Sequence, residues 1–302
     1  AGHRVVLAVD KDEPALRLHR ANHGDARHEC MTLGPGAEAA LERLVAQTVP
    51  RGARWHMHAS PPCQALSRLQ YCKRPEQRPP LAQSMDLVNW SLAMLLRLRP
   101  TSWSFEQVAC RELNGVLCFL KASFPDYVDY ATVDLSAYGV CQTRTRVLAG
   151  LPGTVHAFLS DPALRAPAPK LSDVLRTPEG AVWQRASVGK NPDPLRTVRS
   201  ADGTYKNSSP ATKFVRSVHA TAWTCTASTS AHAYLSADYR TIRSFTPRED
   251  ALLQTFPFTY DLETPLLTQI QLRRAIGNAY PPLAARKFMQ CAHEHPTLPL
   301  GG

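Results

Sequence analysis

The order of apolar and polar positions in the first half of the chain predicts strands that alternate with helices. Residues 4–9 form a short apolar run that ends at Asp10, as expected of a buried strand. Asp12 and Pro14 then predict the first turn of a helix. Residues 54–60 alternate in polarity, which predicts another strand. Further strands are predicted at residues 102–108, 127–133 and 137–149.

Helices are predicted where apolar side chains recur every three or four residues. This spacing occurs near residues 41–48, 88–95, 111–124, 246–256 and 284–291. Alternating strands and helices predict the α/β class, with a mostly parallel sheet covered on both faces. Ligands of such sheets bind beyond the carboxyl ends of the strands. Glu106 and the loop 60–64 fall at such ends.

The composition changes near residue 151. Residues 152–240 are rich in Pro, Ser, Thr, Ala and Arg and show little helical periodicity, which predicts a smaller, loop-rich lobe. We therefore predict that residues 1–151 and 265–302 form the larger domain and that residues 152–264 form the smaller one.

Charge and cysteine content narrow the classes of partner and compartment. The chain has 35 Lys and Arg against 25 Asp and Glu, and this net charge of +10 fits a nucleic-acid partner, although any basic surface would give the same value. No apolar run of about 18 residues and no signal peptide is visible, so we expect an intracellular protein without a membrane partner. The eight cysteines contain no Cys-x-x-Cys pair, which predicts a reducing compartment and no metal site.

Three groups of residues carry candidate chemistry. Cys63 follows two prolines directly after a strand, where an exposed thiol can serve as a nucleophile, whereas a lone Cys is more often a small buried residue. Glu106 ends an apolar strand, where a carboxyl can hold a proton or pair with an Arg. Gln142, Arg144 and Arg146 would share one face of a strand, suited to a base, a phosphate or an edge with protective charges.

In the same order along the chain, these segments resemble motifs of the C5-cytosine-specific DNA methyltransferase family. The nucleophile, glutamate and Gln-x-Arg-x-Arg motifs correspond to Pro62-Cys63-Gln64, Phe105-Glu106-Gln107-Val108 and Gln142-Thr143-Arg144-Thr145-Arg146. Residues 1–23, 243–257 and 275–282 resemble the second, ninth and tenth motifs. One motif is moderate evidence, but an ordered set over nearly the whole chain is specific. The resemblance implies a Rossmann-like, S-adenosylmethionine-dependent methyltransferase sheet in which residues 152–264 recognise the target.

The resemblance also implies a reaction, DNA (cytosine-5)-methylation of a base flipped out of the duplex. The Cys63 thiolate would add to C6 of the ring, and Glu106 would help to protonate N3. Arg146 would contact the ring O2, while Arg144 and Gln142 complete the catalytic set. The cofactor S-adenosyl-L-methionine would supply the methyl group to C5.

The same resemblance assigns residues to the cofactor and to double-stranded DNA, which we expect to be bound by a monomer. The cofactor residues are Asp10, Lys11, Pro62, Asn278 and Ala279. The DNA residues are Gln64, Ser67, Arg196, Arg199, Lys213 and Arg240. For each basic residue of the lobe, a solvated surface position is the alternative. The protein would be nuclear in a eukaryote and cytoplasmic in a bacterium or a viral infection.

Departures from the family pattern leave two alternatives open. The first motif, a Phe-x-Gly-x-Gly loop that holds the cofactor, would precede Ala1, so we expect an N-terminally truncated chain. Thr32 stands where the third motif offers an Asp, and Gln107 stands where the sixth has Asn. One alternative is a catalytically silent DNA-binding remnant, against which the retained site residues argue. The other is an RNA cytosine methyltransferase, although the Cys-Phe-Thr tripeptide of the transfer-RNA subfamily is not present.

Overall fold

Alternating strands and helices begin at Leu7 in the computed structural model of the chain, which divides into two compact units. The structure describes residues 4–62, 66, 76, 80–175, 184–185, 204–205, 215–217, 219–222, 224–225, 233–235, 241–264 and 266–294. Unit 1 comprises Ala1–Asp134, Thr145–Leu164 and Ala285–Gly302, and unit 2 comprises Leu135–Arg144 and Arg165–Ala284. No helix among these described residues is long and apolar enough to cross a membrane.

The strands and helices of the chain up to residue 160 lie in unit 1. They are β1 (Leu7–Asp10), α1 (Glu13–Asn22), β2 (Arg27–Cys30), α2 (Glu38–Thr48), β3 (His56–Ala59), α3 (Leu81–Leu98), β4 (Ser102–Gln107), α4 (Arg111–Ser123), β5 (Asp129–Asp134), β6 (Thr145–Gly150) and α5 (Pro152–Ser160). The elements that follow, most of them in unit 2, are α6 (Leu171–Val174), β7 (Gln184–Arg185), β8 (Thr204–Tyr205), β9 (Val215–Ser217), β10 (Ala233–Leu235), β11 (Thr241–Ser244), α7 (Pro247–Leu253), α8 (Gln269–Asn278) and α9 (Pro282–Glu294).

β4 lies inside the larger sheet of unit 1, which has the strand order β3-β4-β6-β5. All six residues of β4 are buried. β3 pairs with β4 in parallel, whereas β6 is antiparallel to both β4 and β5. β1 and β2 form a separate parallel pair. The prediction of a mostly parallel sheet is therefore correct only for β1 to β4, because β6 returns in the opposite direction after β5.

The core of unit 1 lies between this sheet and the helices α3 and α4. Trp103 and Phe105 of β4 pack there with Leu92 of α3 and Leu117 of α4. Burying each of these large side chains stabilises the fold by roughly 1.5–3 kcal/mol. β6 ends at Gly150, where an added Cβ would lie 3.0 Å from the Trp103 carbonyl oxygen and 3.1 Å from the ring of Phe288, which α9 supplies.

Unit 2 has a five-stranded sheet of short strands among its described residues, in the order β7-β11-β10-β9-β8. Helices α7 and α8 both begin with a capping box, in which Thr246 and Thr268 accept hydrogen bonds from the backbone three residues on. A small core joins Leu171, Phe245 and Leu253 with the buried thiols of Cys141 and Cys225. The prediction of short strands in this part of the chain is confirmed, and residues 265–284 belong to the same compact unit as these strands.

Two local predictions were wrong. Residues 137–149 are not one strand, because a 3-10 turn covers Leu135–Ala137, Gly139 adopts a positive φ of 86°, and β6 begins only at Thr145. The loop-rich segment also contains the helix α5, whose first turn starts at Pro152. β2 was not predicted, since its sequence Arg-His-Glu-Cys carries neither an apolar run nor alternation.

Asp250 makes the stability of unit 2 depend on pH. Burial raises the pKa of this carboxyl to about 7, while Arg273, 3.4 Å away, acts in the opposite direction. The unfolded chain releases this proton near pH 4, so the free energy of unfolding falls as the pH rises from about 4 to 7. We predict that Asp250→Asn, which cannot titrate, removes this pH dependence, so that its stability relative to the parent rises by roughly 2–3 kcal/mol between pH 5 and pH 8.

Urea unfolding at pH 5 and pH 8 measures this difference. The parent should lose more stability than Asp250→Asn between pH 5 and pH 8, and the exposed Asp86→Asn, which should behave like the parent, serves as the control. An equal loss of stability over this pH range in the parent and in Asp250→Asn would contradict a raised pKa of the buried Asp250 carboxyl.

Candidate active site

A buried carboxylate held by two partners lies at the carboxyl end of β4. Glu106 is 4% exposed, and its Oε1 forms an ion pair with Nε of Arg146 at 2.8 Å. Its Oε2 accepts a hydrogen bond from the Ser60 hydroxyl at 2.7 Å. The sequence-predicted Glu106 and Arg146 are thus brought together within unit 1, and their charges compensate each other at a buried place.

The alternation of β4 explains why the carboxylate lies on the face away from the core. Trp103 and Phe105 point into the core, so Ser102, Ser104 and Glu106 occupy the other face. On that face, the ring nitrogens of His56 and His58 in β3 lie 2.8 Å from the hydroxyls of Ser102 and Ser104. Polar pairs therefore continue across β3 and β4 up to Ser60 and Glu106.

The loop that follows this row contains the predicted nucleophile. The structure describes Ser60 to Pro62, and Pro62 is exposed. Several predicted site residues lie outside the described residues: Cys63, Gln64, Ser67, Arg196, Arg199, Lys213 and Arg240. Their roles stay predictions.

Gln142 and Arg144 lie in unit 2 and are buried, at 0% and 2% exposure. They do not share a strand face with Arg146, because both precede β6. The guanidinium of Arg144 donates to the carbonyl oxygens of Cys225, Gly277 and Ala279 at 3.0, 3.3 and 3.0 Å. The structure therefore gives Arg144 a role in holding the end of α8.

An amide network that the sequence did not reveal surrounds this arginine. Gln142 donates to Gln254 at 2.9 Å and accepts from the backbone of Cys225 at 2.8 Å. Gln254, which is fully buried, donates in turn to the carbonyl oxygen of Ile276 at 2.7 Å. The sequence places Gln254 in the segment that resembles the ninth motif, but it gives no sign of these hydrogen bonds.

The predicted cofactor residues lie at element ends, as expected for a nucleotide site. Asp10 is exposed at the end of β1, where one carboxylate oxygen accepts from the backbone of Asp12 at 2.9 Å, and Lys11 follows it. Asn278 is exposed at the end of α8, and the carbonyl oxygen of Ala279 accepts from Arg144. An exposed carboxylate or amide can form hydrogen bonds with the hydroxyls and polar groups of a nucleoside. Asp10 and Asn278 are each chemically suited to binding a cofactor that contains a nucleoside.

The buried cysteines of the second unit are unsuited to nucleophilic chemistry. Burial raises the pKa of Cys141 to about 11 and raises that of Cys225 further. Since the thiolate is the reactive form, these thiols are inert at neutral pH. Within the described part of the chain, no group of three or more His, Cys, Asp or Glu could hold a metal ion.

Comparisons with known proteins bear on this site. The sequence model of the family described as C-5 cytosine-specific DNA methylase matches residues 175–292. Residues 175–292 thus carry the signature of the C-5 cytosine-specific DNA methylase family. The matched segment includes α7, α8 and most of α9 and contains the predicted ninth and tenth motifs, so the resemblance to this family is confirmed over residues 175–292.

Solved methyltransferase structures share the fold. A protein described as a DNA modification methyltransferase of an E. coli prophage superposes with a TM-score of 0.64 at 16% identity, covering 97% of this chain and 93% of its own. Dnmt2 of S. pombe gives 0.61 at 12%, covering 96% and 91%. A mutant of Spodoptera frugiperda DNMT2 gives 0.60 at 12%, covering 96% and 92%. The predicted Rossmann-like methyltransferase fold is confirmed. A search of curated proteins gives no match.

The carbonyl contacts of Arg144 predict a strong effect of a charge-conserving substitution. A lysine ammonium in Arg144→Lys cannot reach the three carbonyl oxygens that the guanidinium contacts, so buried acceptors lose their donors. We predict a loss of roughly 3 kcal/mol in the free energy of unfolding, measured with urea. The exposed Arg51→Lys should change it by less than about 0.5 kcal/mol. Equal urea midpoints for the two variants would show that these contacts do not stabilise the fold.

Proposed function

We propose that the protein is a DNA (cytosine-5)-methyltransferase that forms a covalent bond between Cys63 and the target base. The observation that carries this proposal is the pairing of Glu106 with Arg146 and Ser60 at the end of β4. The loop that contains Cys63 starts beside this carboxylate, since Ser60 is three residues upstream. A nucleophile and a carboxyl that exchanges protons with the ring are the two groups that addition to cytosine requires.

Each residue has a separate task in the proposed reaction. The Cys63 thiolate attacks C6, and the electron pair displaced from the C5–C6 bond makes C5 nucleophilic. Glu106 binds the N3 edge and passes to N3 a proton that it first takes up from solvent, which neutralises the charge that develops on the ring. Arg146 holds the carboxylate of Glu106 and offers its remaining N–H groups to the ring O2. After methyl transfer, a water molecule takes the C5 proton, and the electron pair of that C–H bond re-forms the C5–C6 double bond and expels the Cys63 thiolate.

S-adenosyl-L-methionine, the cofactor that the family implies, would supply the methyl group as an electrophile. By resemblance to the family, we assign Asp10, Lys11, Pro62, Asn278 and Ala279 to its binding. Arg144 and Gln142 act indirectly in this proposal. Arg144 holds the carbonyl oxygens of Gly277 and Ala279, and Gln142 holds Gln254, which donates to the same backbone.

The proposed substrate is double-stranded DNA. The net charge of +10 favours binding to phosphates, and the basic residues assigned to DNA lie in the segment predicted to recognise the target. The target cytosine must leave the base stack, because its C6 is out of reach inside the duplex. An RNA substrate is the second candidate, since structures named DNMT2 and DNA methyltransferases share this fold.

Transfer of a labelled methyl group tests the proposal. The protein is incubated with labelled S-adenosylmethionine and either unmethylated duplex DNA or transfer RNA, and the label in nucleic acid is counted. We predict transfer to DNA, none by Cys63→Ala, and a rate about 10²–10⁴-fold lower for Glu106→Gln, which cannot supply a proton.

The exposed Glu112→Gln is the matched control and should retain the parent rate. Label in transfer RNA alone would replace DNA by RNA as the substrate. Absence of transfer to either nucleic acid, together with intact DNA binding, would favour a silent DNA-binding protein.

A further inference from the structure

The pairing of β3 with β4 stops one residue before the candidate site. In the register of the two strands Ala59 lies opposite Phe105, and β3 ends there, although β4 continues to Gln107. The next residues of β3 would be Ser60 and Pro61. Proline has no N–H to donate, so an ordinary ladder of backbone hydrogen bonds cannot continue into the loop.

Side chains continue the pairing where the backbone cannot. The Ser60 hydroxyl donates to Oε2 of Glu106, the residue one step beyond Phe105, at 2.7 Å. One step further, Nε2 of Gln107 donates to the carbonyl oxygen of Pro61, also at 2.7 Å. The backbone N–H of Val108 donates to Oε1 of Gln107 at 2.8 Å, so the amide is fixed at both ends.

Burial makes the second of these contacts costly to lose. Gln107 is 1% exposed. Removing the hydrogen-bond partners of an amide buried to this extent lowers the free energy of unfolding by roughly 1–3 kcal/mol. The length of the Gln107 side chain also matters, because the side chain reaches from β4 to the backbone of Pro61. An Asn side chain is shorter by one methylene and reaches less far, so the departure from the family pattern at Gln107 acquires a physical reason.

We propose that Ser60 and Gln107 are positioning residues that fix the loop before Cys63 relative to Glu106. This inference deepens the proposed function and rests on it for its catalytic consequence. Pro62 follows Pro61 and immediately precedes Cys63, and its ring fixes φ of the backbone that leads to the predicted nucleophile. Ser60 also orients the carboxylate, because it contacts the oxygen that Arg146 does not hold.

Two variants test the two contacts separately. Ser60→Ala removes the hydroxyl, and Gln107→Met keeps the length of the side chain but removes both polar atoms. The first readout needs no catalysis: the rate at which iodoacetamide alkylates Cys63 in the full chain, followed by peptide mass spectrometry. Exposed Cys118 on α4 is the internal control. We expect the rate for Cys63 to change several-fold in both variants, because its environment depends on the fixed loop, and the rate for Cys118 to stay unchanged.

The second readout separates positioning from folding or substrate affinity. Each variant should lower kcat about tenfold, the equivalent of one lost hydrogen bond, with the KM for DNA within about twofold of the parent. Ser60→Thr, which keeps the hydroxyl, should restore most of kcat.

The two measurements distinguish failure of the proposed function from failure of the inference about Ser60 and Gln107. If the parent transfers no methyl group, the proposed function fails, but alkylation of Cys63 still decides the inference about the loop. Parent rates of Cys63 alkylation in both variants would overturn it. A Ser60→Thr protein as impaired in kcat as Ser60→Ala would overturn the role of the hydroxyl.

Discussion

The ion pair between Glu106 and Arg146 is the interaction on which the candidate site depends. Both side chains are nearly buried, with exposures of 5% and 10%, so neither charge could remain there without the other. Removing one partner of such a pair typically costs about 3–5 kcal/mol, because the remaining charge is left uncompensated. The antiparallel pairing of β4 with β6 brings the two residues together, and Ser60, the residue that follows β3, completes the arrangement. The carboxyl end of β4 thereby holds a carboxylate in a defined orientation.

A second buried cation organises unit 2 in a different way. Arg144 is separated from Arg146 by one residue, but its partners are neutral carbonyl oxygens at the end of α8 and at Cys225. Backbone oxygens at a helix C-terminus lack intrahelical donors, so a guanidinium satisfies several of them at once. The two arginines of one motif thus serve different units: one compensates a carboxylate, and the other terminates a helix.

The sequence predicts the parts of this protein that rest on local patterns. β4 and Glu106 follow from an apolar run with a terminal charge, and α3 follows from its helical spacing. β2 carries no such pattern, and its place beside β1 depends on pairing between distant residues. The burial of Gln142 and Arg144 likewise depends on Gln254 and on residues 277–279, which are more than a hundred positions away along the chain. The contacts of Ser60 and Gln107 required the register of β3 and β4, which alternation alone does not fix.

In the proposed reaction, Cys63 bonds covalently to a cytosine that Glu106 has activated. The most direct measurement is the intact mass of the protein after incubation with S-adenosylmethionine and a duplex that contains 5-fluorocytosine, whose C5 fluorine cannot leave as a proton does. We predict a stable complex whose mass equals the protein plus one DNA strand plus a methyl group, absent in Cys63→Ala. An equal yield of complex from Cys63→Ala, or none from a parent protein that transfers methyl groups to ordinary duplex, would contradict it.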